Sequence, residues 1–194
     1  MIVYERNDAF MMITQHDHAK VSGDLITEWR EDLFFHTKQN NELVYAAYQH
    51  DRGWIGLDDS PFWNDATNRP YSFIDFPLKP RFLFYTLGID EVQRTNKYSA
   101  LLCSLLYTTL FERVKDKDVE GYLNQEYHRQ KTLKELLIID EGTNSQLQTH
   151  LNILLICDEL SLFMCMQEPG TPTKEYKFFS DGLHYSAGRG LMKK

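Results

Sequence analysis

Disulfide scaffolding has little to work with in this chain: its three cysteines, Cys103, Cys157 and Cys165, form no CxxC pair and are odd in number. A reducing compartment and three small buried side chains are the simplest reading. Positive charge is also scarce. With 21 basic against 28 acidic residues the formal net charge is -7, which argues against the basic stripe of a long nucleic-acid partner and leaves room only for a local basic pocket. Long apolar runs are missing too, because the longest stretch, residues 151–166, is broken by Asn152, Asp158, Glu159 and Ser161; no membrane span is expected. The opening Met-Ile-Val-Tyr-Glu-Arg-Asn-Asp has no apolar core or cleavage site behind its charges, so the expectation is a cytoplasmic protein. No internal repeat and no low-complexity tract interrupts the chain.

What the chain does have is the average composition of a globular protein, 42% hydrophobic and 25% charged over 194 residues, enough for one domain with one core. Val21, Leu25, Trp29 and Leu33 recur every four residues and predict a first helix over residues 14–35. Asn40 and Asn41 are candidate caps for a second helix over residues 41–52, ending where Gly53 offers a left-handed cap. Pro61, Pro70, Pro77 and Pro80 predict a long irregular loop over residues 54–81. Helical patterning then returns over residues 91–115, 119–139 and 144–167. The expected fold is therefore all-α, a bundle of about five long helices with a core over residues 14–167. Residues 168–194 form a tail or hairpin.

Four residues stand out against this pattern. Leu147, Leu151, Leu154, Asp158, Leu162 and Cys165 step by three or four, placing a carboxylate inside an apolar stripe. A buried ionised carboxylate needs a cation, a donor network or a metal, or else takes up a proton; taken alone, a structural salt bridge explains Asp158 more readily than a metal does. Stepping back from Leu25 and Val21 lands on His18, on the core face of the first helix, while His16 and Asp17 point elsewhere. A satisfied core histidine is the plain alternative. His50 and Asp51 end the second helix beside Arg52 and Gly53, and a metal at a helix end can use both side chains.

Together, His18, the His50-Asp51 doublet with Arg52-Gly53, and Asp158 in a Cys-Asp-Glu-Leu-Ser context resemble the H…HD…D signature of HD-domain proteins. The segments Thr14-Gln15-His16-Asp17-His18-Ala19, His50-Asp51-Arg52-Gly53-Trp54, Asn68-Arg69-Pro70-Tyr71-Ser72-Phe73 and Leu160-Ser161-Leu162 are similar to a bacterial family within that superfamily known only by a domain-of-unknown-function label. The resemblance implies an HD-like bundle in which His18, His50, Asp51 and Asp158 hold a divalent ion such as Mn, Fe, Ni, Zn, Co or Mg. It also implies a metal-dependent phosphohydrolase of a phosphorylated small molecule or nucleotide. Trp54 stands where HD-x-Gly is usually followed by Lys, and Leu106 where members of the closer family often carry His; both departures bear on a second metal.

For such a reaction Asp51, Arg52 and Arg69 are the candidate catalytic residues, Asp51 at the attacking water and the arginines at phosphate charge. Lys79 and Arg81 in or beside the Pro-rich loop, the Glu126–Arg129 pair one helical turn apart, and His16 form a second tier. Solvated surface charge is the plainer reading of the basic residues, and an ordinary ion pair explains Glu126 and Arg129 equally well. Trp54, Phe62, Trp63, Tyr71 and Phe73 are candidates for an aromatic wall. Three other functions stay open: a metal- or nucleotide-binding regulatory module without turnover, an iron-dependent oxygenase on an HD-like site, and a structural bundle with a vestigial site. A homodimer is also left open.

Overall fold

The chain opens with a hairpin that its helical patterning does not announce. In the computed structural model, which describes residues 1–28, 39–172 and 179, strand β1 (Ile2–Arg6) pairs antiparallel with β2 (Ala9–Ile13), Ile2 opposite Ile13 and Arg6 opposite Ala9. Asn7 turns the chain at φ 54°, a conformation asparagine tolerates well. Ile2 is buried against Cys165, Met166 and Phe179.

Helix α1 (Gln15–Thr27) follows at once, capped by the Thr14 hydroxyl, which accepts from the Asp17 N–H. Its buried face is Gln15, His18, Ala19, Ser22, Gly23 and Ile26. That face is turned by about one residue from the expected Val21–Leu25 stripe, whose members are only half-buried. The reason is close packing: the Tyr48 ring lies where a Cβ on Gly23 would sit, so small residues take the contact and the larger apolar ones flank it. Trp29, Leu33 and the end of the expected first helix lie outside the described residues.

Helix α2 (Asn40–Gln49) starts one residue earlier than expected, so Asn40 is its first residue and not its cap. A 3-10 turn (Arg52–Trp54) and the four-residue helix α3 (Ile55–Asp58) follow. Gly53 is no left-handed cap; among the described residues the only glycine at positive φ is Gly170. Beyond α3 the Pro-rich stretch is mostly irregular, as its prolines imply, apart from a two-residue ladder between β3 (Trp63–Asn64) and β4 (Arg69–Pro70). The fold is thus mostly helical but not all-α: two small sheets of two strands each accompany the helices.

Helix α4 (Leu78–Thr95) begins far upstream of the expected residue 91. Pro80 lies in its first turn, where a missing N–H costs nothing. The expected helix over 91–115 is cut at Asn96, whose extended backbone ends α4 and whose side chain accepts from the Ser99 N–H to cap α5 (Lys97–Phe111). Helices α6 (Lys117–Leu136) and α7 (Glu141–Cys165) are capped by Asp116 and Asp140. Among the described residues six helices of ten or more residues therefore replace the five expected. Helix α5, buried along almost its whole length, is the axis of the core: α2, α4, α6 and α7 all pack on it, and α1 closes the side between α2 and α7. Among the described residues no helix is long and apolar enough to cross a membrane.

The end of α6 carries an unusual residue. Ile139 N–H bonds to the Lys134 carbonyl and Ile138 N–H to that of Glu135, the bonding of a Schellman motif, whose left-handed position normally holds glycine. Here it is Ile138, at φ 52° and 84% exposed. A β-branched residue is strained there, and its side chain buries little in return. Ile138→Gly is expected to raise stability by about 1 kcal/mol after the extra unfolded-state freedom of glycine is subtracted. A urea melt checks this, and a lower midpoint contradicts it.

Candidate metal centre

Three helices bring four side chains of metal-ligating type close together. His18 projects from the first turn of α1, His50 and Asp51 from the end of α2, and Asp158 from the middle of α7; all four are buried. His18 Nε2 lies 3.0 Å from Asp158 Oδ1 and 3.3 Å from Asp51 Oδ2. His50 Nε2 lies 3.2 Å and 3.5 Å from the same two oxygens. The two Nε2 atoms are 3.3 Å apart. Ligand atoms of His18, His50 and Asp51 all lie within 4.8 Å of one another, and Asp158 joins that triad through the two imidazoles.

The other ring nitrogens decide what these atoms offer. His50 Nδ1 sits 2.7 Å from the Ala47 carbonyl, an acceptor only, so it carries the proton. His18 Nδ1 sits 2.6 Å from Ser161 Oγ, whose own hydrogen goes to the Asp158 carbonyl at 2.8 Å; the hydroxyl oxygen then accepts from Nδ1–H. Each neutral imidazole therefore presents its Nε2 lone pair to the same point. Two lone pairs and two carboxylates facing one another out of water demand protons or a cation between them. A first-row divalent ion with bonds of about 2.0–2.2 Å keeps adjacent donors about 2.9–3.5 Å apart, and the three separations among His18, His50 and Asp51 (3.3, 3.5 and 3.3 Å) lie in that range, so these three donors fit an ion, with Asp158 Oδ1 beside both imidazoles.

With no ion bound, protons do the work. Burial pulls the His50 pKa down, but the Asp51 and Asp158 carboxylates outweigh it and hold the imidazole at about 9. His18 moves in the same direction: burial opposes, and bonds to Asp158 and Asp51 prevail. Burial tends to raise the two carboxylates, yet the imidazoles carry both below the ordinary 3.8. A raised histidine stabilises the fold fully below its ordinary 6.5 and loses that contribution as pH climbs through 9; lowered carboxylates contribute above 3.8 and lose it on acidification. Metal-free protein is therefore expected to lose melting temperature from pH 6.5 to 9, whereas the protection given by Zn2+ or Mn2+ grows over that window as protons stop competing. Melting curves with and without chelator test this, and parallel slopes contradict it.

The four side chains open onto a cavity of about 50 Å³, room for a few waters. Its wall is completed by Gln15, Phe73, Tyr85, Leu106, Tyr107 and Leu162, among others. Tyr107 comes from α5 and donates to Asp51 Oδ1 at 2.7 Å, which leaves Oδ2 to face the imidazoles. Sequence reasoning misses Tyr107 and Ser161 as site residues, although Ser161 lies one turn beyond Asp158 and inside the Leu160-Ser161-Leu162 segment that carries the family resemblance.

The remaining candidates are placed elsewhere. Arg52 turns to Glu91, 2.5 Å away, and to Gln49. Arg69 lies in β4 and Lys79 is an exposed residue near Asp118. Arg81 is buried, donating to the Ile74 and Phe76 carbonyls as a staple for the Pro-rich loop. Glu126 is fully buried against Arg129, which also binds Asp90 and Gln93 between α4 and α6. His16 lies outside the cavity wall, its buried Nδ1 without a hydrogen-bond partner among the described residues. No Lys or Arg lines the cavity among the described residues. Of the five aromatic candidates only Phe73 reaches it. Trp54 is core, packed on Phe76 and Tyr85, and with Phe62 and Tyr71 it closes a recess of about 10 Å³, too small for a ring.

No curated protein and no solved structure matches the chain. One family model, described as "Protein of unknown function (DUF3891)", matches residues 1–190, and the chain belongs to that family.

Proposed function

We propose that the chain, whose family assigns it no activity, is a single-ion metal hydrolase of the HD type, acting on a phosphate ester or nucleotide. The observation that carries the proposal is the pair of Nδ1-protonated imidazoles whose Nε2 atoms converge with two carboxylate oxygens at 3.0–3.5 Å. Two imidazoles with two carboxylates suit Zn, Mn, Fe, Ni or Co better than Mg. Leu106, fully buried in the cavity wall, provides no donor for a second ion.

A divalent ion held by these donors supplies Lewis acidity, lowering the pKa of a coordinated water and polarising a phosphoryl oxygen. The chain supplies the setting. Ser161 and Ala47 fix the imidazole tautomers, Tyr107 fixes which oxygen Asp51 presents, and the apolar wall of Phe73, Leu106 and Leu162 keeps bulk water from the reacting group. The H…HD…D order along the chain supports the phosphate class by resemblance alone.

One observation favours a second reading, a regulatory module without turnover: a cavity of about 50 Å³ without a basic side chain admits little more than a phosphoryl-sized group. The test is a panel of phosphomonoesters, phosphodiesters and nucleotides with protein loaded with manganese, iron, nickel or zinc. Turnover abolished by Asp158→Ala is the expected result. Tight nucleotide binding without product selects the second reading, and neither binding nor product with any metal overturns both.

A further inference from the structure

Gln15 opens α1 one turn before His18, on the same buried face. It is 2% exposed and lines the cavity that the four donors share. Its backbone N–H is taken by Asp58 Oδ2 at 2.6 Å, which pins the first turn of α1 to α3. Its side-chain Oε1 is buried and has no partner among the described residues. A buried acceptor left unmet is costly, so an unmet Oε1 on a residue that lines a cavity wide enough for water points to a donor that belongs there.

We infer that Gln15 Oε1 is the water-positioning acceptor of the metal centre: it receives a hydrogen bond from the water that occupies the ion's cavity-facing position. The inference rests on the metal reading above. A carboxamide takes no proton at neutral pH, so Gln15 orients this water and leaves its lone pair free, without acting as a base. It also sets a preference among ligands. Water donates to Oε1, whereas an anion that only accepts gains nothing from it and is met only if the carboxamide turns its Nε2–H inward, which gives up the bond from water.

The test is azide binding to Co2+-loaded protein, followed by visible absorption, for wild type, Gln15→Met and Gln15→Glu. Azide only accepts hydrogen bonds, and it competes with water for the ion. Gln15→Met keeps the side-chain length and removes the acceptor; it is expected to bind azide about three- to tenfold more tightly than wild type, with cobalt stoichiometry and melting temperature retained. Gln15→Glu keeps an acceptor and adds charge, and is expected to bind azide more weakly than wild type; this arm stands alone if the Met variant does not fold. Azide affinity within twofold of wild type in both variants overturns the inference and leaves the metal centre intact. Failure of wild-type protein to take up cobalt overturns the metal reading and this inference with it.

Discussion

Asp158→Ala is expected to lower divalent-ion affinity by more than about 100-fold, since loss of outer partners alone costs 10- to 100-fold at metal sites. The same change should destabilise the metal-free protein near pH 7. Asp158 Oδ1 is the one oxygen within 3.2 Å of both Nε2 atoms, and removing one side of a buried charge pair costs about 3 kcal/mol. His18 and His50 escape part of that cost by releasing protons, so their pKa values should fall in the variant. Competition against a chromophoric chelator reads the affinity, and NMR titration of the imidazoles reads the pKa shift. Asp158→Asn, which keeps the volume, separates charge from packing. Wild-type metal affinity in either variant contradicts the assignment of Asp158.

The second large effect lies outside the donor set. Helix α4 lies backbone to backbone on the 3-10 turn that follows His50-Asp51. A Cβ on Gly53 would collide with the Phe84 carbonyl, and a Cβ on Gly88 would stand 2.5 Å from the Gly53 nitrogen. Main chain meets main chain on both sides, so neither partner yields by a rotamer change. Gly53→Ala is expected to cost about 3 kcal/mol and to weaken metal binding by displacing the residues just before it. Gly88→Ala should behave alike, and the two together should cost less than their sum because they relieve one contact. Gly56, with nothing near its absent Cβ, is the control: Gly56→Ala should melt at or above wild type. A Gly53→Ala protein that melts and binds metal like wild type contradicts this packing argument.

Much of the centre was readable because its residues break a pattern. Asp158 interrupts an apolar stripe, His18 sits on a core face, and His50-Asp51 closes a helix; each anomaly is local, and the structure brings the four together. Tyr107 and Ser161 break no pattern, since hydroxyls are ordinary in buried helices, so their roles emerge only when α5 and α7 are placed beside α2 and α1. Nearness in sequence misled for Arg52 and Arg69: the first swings to Glu91 across the turn, and the second belongs to a hairpin away from the cavity.

In the fold, the reading of proline as a breaker hid the start of α4, where Pro80 in the first turn is a helix-start signal. Reading Asn96 as helix interior hid the joint between α4 and α5, although Asn-x-x-Ser is a plain N-cap pattern. The first hairpin is hard to read because Asn7-Asp8 looks like charge near the start of the chain, although it is also a turn between Ile2-Val3-Tyr4 and Phe10-Met11-Met12-Ile13.

The most direct test of the metal centre is bound metal per chain, measured by elemental mass spectrometry on untagged protein purified without chelators, with Asp158→Ala and His50→Ala in parallel. The geometry predicts close to one first-row ion per wild-type chain and almost none in either variant. No metal in wild type even after reloading, or equal metal in all three proteins, would contradict it.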